Sequence, residues 1–335
     1  MQHMRLRGVW VFCAAIFMAS TGCSTNKANQ SDDEPNDTGS FSTSEPYDCA
    51  KALPTPGAET IIEGASGYKG LTFDNEGHIV GNDGNSLIKA TYDGEKTVWI
   101  PGVGEMEGIA YLSGGDLITT YGYSPGELKR YSPEGGETVL VGGLENYSVV
   151  IAPNDLIFGA GWNGAFMVDP NTGEYTKFLS DGSPDFPRGV SPRTLAFSRD
   201  HRTLYIGTID NRGRIYTLAL DDDYTPIGSP ELFAEGVGHG WHDGLDLDVC
   251  GNVYAVDYDS SALYRASADG GTVDKLADWS SNSREFAHGL IFGSGEGGWR
   301  VDALYLPEPE NGKQVKEIVL GVPGSKWDGE VLNAP

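Results

Sequence analysis

The stretch "WHDGLDLDVCGNVYAVDY", residues 241–258, decides the fold. It reads as strand, turn, strand: apolar residues alternate on either side of a Cys250–Gly251 turn, and an Asp243–Gly244 pair leads into the first run. Whether Asp243 merely opens a hairpin or belongs to a site depends on whether the chain repeats the arrangement.

It does. Between residues 59 and 325 the chain is rich in Gly and broken into short alternating runs bounded by Gly, Asn, Asp and Pro, with no apolar stripe of helix length. Six segments align: "YKGLTFDNEG" from Tyr68, "MEGIAYLSGG" from Met106, "ENYSVVIAPN" from Glu145, "PRTLAFSRDH" from Pro192, "HDGLDLDVCG" from His242 and "AHGLIFGSGE" from Ala287. Counted from the second residue of each, two positions on stand Leu71, Ile109, Ser148, Leu195, Leu245 and Leu290, and four positions on stand Phe73, Tyr111, Val150, Phe197, Leu247 and Phe292. Eight positions on come Gly77, Gly115, Asn154, His201, Gly251 and Glu296, mostly types that tolerate a tight turn. Repeats of this length in an all-β chain predict a propeller. Most hairpins are followed by a second pair of strands, as in "GELKRYSPEGGETVLV", but the sixth unit offers only "QVKEIVLGV", while "ETIIEG" at 59–64 is a spare strand. The expectation is an all-β, six-bladed β-propeller of four-stranded blades spanning 49–335, in which the N-terminal strand completes the last blade and removes the exposed edges.

In such a ring the residue opening each inner strand faces one mouth of the central channel. The alignment names Lys69, Glu107, Asn146, Arg193, Asp243 and His288, all polar or charged. The chain resembles the senescence marker protein, gluconolactonase and regucalcin family over residues 60–325, through "SPRTLAFSRDHRTLYIGT" at 191–208, the Asp-Gly strand above, and "GEGGWRVDALYL" followed by "VLGVPG". The resemblance implies lactone or ester hydrolysis with a divalent ion, often calcium, held by Glu, Asn, Asn and Asp from the first, third, fourth and fifth blades. Asn146 and Asp243 match that set, but the Glu position is Lys69 and the second Asn position is Arg193. Neither cation can donate an oxygen ligand. Each would also repel a divalent ion by roughly 8 kcal/mol at ~4 Å with an effective dielectric of ~20.

Three readings of the ring follow. Lys69 and Arg193 balance Glu107 and Asp243 in formal charge, so the ring can satisfy itself by ion pairs. It can bind a small polar or anionic ligand, with Arg193 and Lys69 gripping a carboxylate or lactone carbonyl and His288 and His242 at the rim. Or it is a metal-dependent lactonase or esterase in which Glu107, Asn146 and Asp243 hold calcium while His288 or His242 moves protons, Asp243 and His288 then being catalytic. An interaction or ligand-binding propeller with an altered metal site is the first expectation, the hydrolase the alternative.

The ends place the chain. Arg5 and Arg7 flank a short apolar run, Val9 to Met18, which is too short to span a bilayer and closes on "ASTGC"; this resembles a bacterial lipoprotein signal, 1–23, with Cys23 as the lipidated residue. Residues 24–48 are Ser, Asp, Asn and Pro with little apolar content, predicting a flexible acidic tether. The expected location is the periplasm or cell surface, lipid-anchored to a bacterial membrane, with the bilayer touched through the anchor only and the propeller a monomer. A formal charge of -25 excludes nucleic acid and anionic lipid headgroups as partners. With Cys13 and Cys23 assigned to the leader, Cys49 and Cys250 are left as a disulfide pair in an oxidising compartment.

Other signals have plainer readings. "GSGEGG" at 293–298 lies in a hairpin with no following helix, and Asp221, Asp222 and Asp223 fit a solvated turn. His239 and His242 flank Trp241 beside Asp243, and Tyr121, Tyr123 and Trp162 are expected to pack between blades. Ser148 stands where the repeat calls for an apolar residue, without explanation from sequence.

Overall fold

The computed structural model describes residues 45–334, apart from 63, 66, 123–125, 163, 181–185, 281–287 and 309–313. The proposed leader, Cys23, most of the tether and Tyr123 lie outside the described residues. Six four-stranded antiparallel sheets succeed one another along the chain. The first is Leu71–Phe73, Ile79–Asn82, Leu87–Ala90 and Lys96–Ile100; the fifth is His242–Leu247, Val253–Asp257, Ala262–Ala266 and Val273–Asp278. The protein is an all-β, six-bladed propeller.

Burial follows the radial position of each strand. Second strands are almost wholly buried, whereas outermost strands such as Lys96–Ile100 and Tyr175–Leu179 leave their first three residues in solvent. The core therefore lies between blades. Phe158 and Ala160 of the third blade pack on Leu195, Leu204 and Ile206 of the fourth, while Tyr254 and Leu263 of the fifth pack on Phe292 and Leu304 of the sixth. Trp299 fills the seam between the sixth and first blades against Phe73, Tyr92 and Tyr305, and its Nε1 donates to the Gly77 carbonyl at 3.0 Å.

The sixth blade is made by both ends of the chain. Ile291–Phe292, Ala303–Glu308 and Gln314–Val319 are completed by Glu59–Ile62, which pairs antiparallel with Gln314–Val319 in the register Glu59↔Ile318 and Ile62↔Val315. Lys316 pins this join, its ammonium 2.9 Å from Glu59 and 2.6 Å from Glu308, over the Trp279 ring. A second fastening was not foreseen. Tyr47 and Asp48, placed in the tether by the sequence reading, form a short parallel pair with Val331 and Leu332. Next to it Cys49 and Cys250 form a disulfide across 201 residues of sequence. Cys250 lies in the turn at the far end of the fifth inner strand from Asp243. The tail crosses that same end: Asp248 bridges Gly324, and Ser325 donates its N–H to the Leu247 carbonyl at 2.8 Å.

Candidate functional site at the channel mouth

The inner strands define the ring by register. Phe73, Tyr111, Ile151, Phe197, Leu247 and Phe292 each pair with the start of the next strand. Four residues before them stand Lys69, Glu107, Tyr147, Arg193, Asp243 and His288, and all six line a cavity of about 180 Å³. Five of the six expected members are in place. The third is Tyr147, not Asn146.

Asn146 is fully buried and turned into its blade against Gly159, its Oδ1 accepting the Ser148 N–H at 3.3 Å. The shift by one residue also explains Ser148. Val149 and Ile151 take the apolar positions, and the Ser148 hydroxyl accepts the Leu195 N–H of the next blade at 3.2 Å. The turn agrees, since Asp155, eight residues after Tyr147, carries the positive φ that Gly77, Gly115, His201 and Gly251 carry in their blades.

Directly after the ring come Gly70, Gly108, Ser148, Thr194, Gly244 and Gly289. Small residues are required because the inner strands converge here. A Cβ on Gly244 would lie 2.7 Å from the Gly289 and Leu290 backbone, and one on Gly289 would lie 2.2 Å from the Lys69 carbonyl. The Asp243–Gly244 pair thus does not begin a hairpin; it sets a ring residue beside a close strand contact. Arg193 and Asp243 also occupy register shifts, between Pro192 and Thr194 and between His242 and Gly244. These bulges re-aim the two side chains toward each other.

The charges pair around the mouth. Lys69 Nζ lies 2.7 Å from Glu107 Oε1, Arg193 Nε donates to Asp243 Oδ1 at 2.7 Å, and His288 Nδ1 lies 2.8 Å from Asp243 Oδ2. Trp241 Nε1 donates to Asp243 Oδ1 at 3.2 Å, and the Arg193 guanidinium stacks 3.6 Å from the Tyr147 ring centroid. Burial alone would raise the Asp243 carboxyl, yet the Arg193 charge and the His288 bond hold it well below the usual carboxylate range. Burial pushes the Glu107 carboxyl up despite Lys69 and Arg193. Its Oε2, in a side chain only 4% exposed, meets no partner among the described residues.

His242 does not reach the site. It is completely buried, accepting the Thr208 N–H on Nδ1 at 3.2 Å and placing Nε2 2.7 Å from the Val237 carbonyl. With the Nε2–H tautomer fixed by that carbonyl, burial lowers its pKa and it stays neutral. It is a packing residue, not a ligand contact or a proton carrier. His239 is two-thirds exposed and faces Asp259.

The carboxylates do not form a cation cradle. Glu107 and Asp243 are each held by a fixed cation of the ring, and Asn146 is not among the cavity-lining residues, so the set Glu107, Asn146 and Asp243 does not converge on one point. Among the described residues, the group whose ligand atoms do cluster is Asp74, Glu76 and His78, on the hairpin turn of the first blade, where Lys89 Nζ already lies 2.8 Å from Asp74.

Aromatic side chains flank the ring on the side of Tyr147, Asp243 and His288. Trp162 stands edge-on to Tyr147 and Trp241, at 6.3 and 6.0 Å between centroids, and is 41% exposed rather than packed between blades. Tyr258 bridges Trp241 and His288. Tyr121 is structural, its hydroxyl donating to the Val103 carbonyl at 2.7 Å. Gly122 makes room for the site, because a Cβ there would lie 2.6 Å from Tyr147 and 2.7 Å from Glu107. The Asp221–Asp223 turn is capped by Arg202, which donates to the Asp221 carbonyl and pairs with Asp222. The "GSGEGG" turn packs against Gly77 of the first blade.

No protein-family model matches this chain, and no curated protein matches it. Solved structures do. A gluconolactonase from Xanthomonas campestris superposes with a TM-score of 0.62 at 14% identity, covering 79% of this chain and 89% of that one. A luciferin-regenerating enzyme gives 0.61 at 13%, covering 82% and 99%. An auxiliary nutrient binding protein from Bacteroides thetaiotaomicron gives 0.60 at 15%, covering 76% and 69%. These likenesses show that the chain shares the fold of the gluconolactonase and luciferin-regenerating enzyme propellers, an architecture that also serves nutrient binding.

Proposed function

We propose that the protein is a binding propeller whose channel mouth takes a small polar ligand without a metal ion. One observation carries the reading: the two carboxylates that could hold a cation, Glu107 and Asp243, are instead held by Lys69 and by Arg193 with His288. What remains is a set of oriented donors and acceptors that, with inner-strand apolar residues such as Leu71, Ile109 and Leu195, line a channel cavity of about 180 Å³ reaching Ser325 and Lys326, a mixed polar and apolar lining usual in a small-ligand site. The kinship in fold with both lactonases and a nutrient-binding protein is compatible with this role. We further propose that the chain is exported and held at a bacterial membrane through a lipid on Cys23.

Calcium titration by calorimetry tests the reading, on the protein and on Asp243→Ala. The expected result is no heat from the ring in either. Tight calcium binding that disappears in the variant would overturn it and establish the metal-dependent lactone or ester hydrolase, with lactone turnover the next assay. Radiolabelled fatty acid incorporation, expected in the native chain and absent in Cys23→Ser, tests the anchor.

A further inference from the structure

The end of the channel opposite the ring carries a second constellation of polar side chains. The cavity runs from the ring past the apolar inner strands to Ser198, Arg199, His201, Ser325 and Lys326. The inner strand of the fifth blade, from Asp243 to Leu247, spans this depth, and at about 3.3 Å per residue it sets the two ends about 13 Å apart. A small molecule held at one end does not touch the other.

Two chain segments build the far end. Arg199 and His201 stand on the turn after the fourth inner strand, where the His201 N–H donates to the Ser198 carbonyl at 2.9 Å. Ser325 and Lys326 belong to the tail that crosses this end. The backbone of that tail is pinned on every side: the Gly324 N–H donates to the Val301 carbonyl at 2.9 Å, the Ser325 N–H to the Leu247 carbonyl, and the Trp327 N–H to the Gly324 carbonyl at 3.0 Å. Arg199 Nη2 ties the two segments together, donating to the Gly329 carbonyl at 3.0 Å.

The side chains so positioned keep donors to spare. Ser325 is 9% exposed and lines the cavity, and its hydroxyl makes no hydrogen bond among the described residues. Lys326 and Arg199 stand exposed at the edge of the cavity, and neither makes an ion pair among the described residues. The carboxylate that lines this end, Asp246, is bonded to backbone through both oxygens: Oδ1 accepts the Leu247 N–H at 2.9 Å and Oδ2 the Phe292 N–H at 3.0 Å. His201 packs its ring on Phe197, and burial with the nearby Lys326 charge lowers its pKa and keeps it neutral. Two cations against one carboxylate leave a surplus of one positive charge, in a molecule that carries -25 overall.

That surplus suits a monoanion, and guanidinium, ammonium and hydroxyl donors together suit a carboxylate. Just inside them the lining turns apolar, with Val150, Ile151, Ala196, Phe197 and Ile291. An alkyl chain gains by displacing water there, whereas a second charge would lose its hydration without a partner.

We infer that the far end of the channel binds a short-chain monocarboxylate, its carboxylate bonded to Ser325, Lys326 and Arg199 and its alkyl chain directed inward. This site is separate from the ring and from the ligand proposed for it. The test is titration of the purified protein, in low-salt buffer containing EDTA, with acetate, propanoate, butanoate and hexanoate, and with butanamide and succinate beside them. Calorimetry gives the readout, with saturation-transfer NMR for weak members of the series. The expected result is saturable binding that tightens about fourfold for each CH₂ group added and buried. Butanamide and succinate should bind at least about tenfold more weakly than butanoate. Ser325→Ala and Lys326→Gln should each weaken butanoate at least about fivefold. Both leave the backbone bonds of the tail intact, and unchanged thermal midpoints verify their folding. Arg193→Gln, at the ring, should change butanoate affinity less than about twofold.

Absence of saturable hexanoate binding up to about 10 mM would overturn the inference and leave the reading of the ring untouched. Butanamide binding as tightly as butanoate would overturn it by removing the role of the charge. Affinity that does not rise with chain length, or succinate binding more tightly than butanoate, would overturn the assigned class. Butanoate binding lost in Arg193→Gln but kept in Ser325→Ala and Lys326→Gln would overturn it by placing the anion at the ring.

Discussion

The sixth blade and the channel mouth each bury a lysine against carboxylates beside an aromatic ring, and they use it differently. In the sixth blade Lys316 holds two glutamates from two strands, and Trp279 Nε1 also donates to Glu59 at 2.6 Å, so the cluster closes on itself. At the mouth Lys69 and Arg193 each hold one carboxylate, and one oxygen of Glu107 is left over beside a cavity. Chemical composition does not separate a structural cluster from a binding one; the unspent hydrogen-bonding capacity does.

The comparison is easiest to break by removing one cation from each cluster. Lys316→Met leaves Glu308, which is 2% exposed, with the Gln314 amide but without its cation, and should lower unfolding free energy by about 3 kcal/mol in denaturant titrations while leaving ligand affinity in the folded protein unchanged. If binding fell with stability, the two clusters would not be separate in role. Opening the other fastening, by Cys49→Ser together with Cys250→Ser, should cost about 2–4 kcal/mol, again without effect on the ligand. Arg193→Gln should do the reverse: ligand affinity falls at least tenfold, and stability by only about 1–3 kcal/mol, because His288 and Trp241 still contact Asp243.

Acid sharpens the contrast further. His242 is kept neutral by burial, so its contribution to stability is complete above its unfolded pKa of about 6.5 and is lost as pH falls below that value. Asp243, whose carboxyl is held low, contributes above about 3.9 and loses its contribution only at lower pH. Thermal midpoints should therefore decline in two stages on acidification. His242→Asn, though less stable throughout, should flatten the first stage, and Asp243→Asn the second. A single stage unaffected by His242→Asn would show that the histidine does not set the upper limb.

Much of this architecture was legible because a propeller repeats. Leu71, Ile109, Leu195 and Leu245 recur at one position for the same physical reason, burial, with Leu290 partly buried at the same place, and that recurrence fixed five ring members. The sixth failed because "ENYS" offers two polar residues in succession and the inner strand is short. Two signals would have corrected it. Ser148 in an apolar slot was one, and the other was the requirement for a small residue after each ring position, which Tyr147 after Asn146 violates and Ser148 after Tyr147 meets. His242 was also readable as buried, since alternation puts it on the opposite face of the strand from Asp243. The rim was not legible: Trp162 follows a second strand, and only the closure of the ring brings it beside Trp241, 79 residues on.

Both ends of the described chain are fastened on the face away from the ring. Tyr47 and Asp48 lie beside Val331 and Leu332, and the disulfide joins them to the turn after the fifth inner strand. A support that grips the protein by either end therefore meets the far face and leaves the Trp162 rim turned to solvent. On a sensor chip, a resin or a fused carrier, attachment and capture would not compete for the same surface.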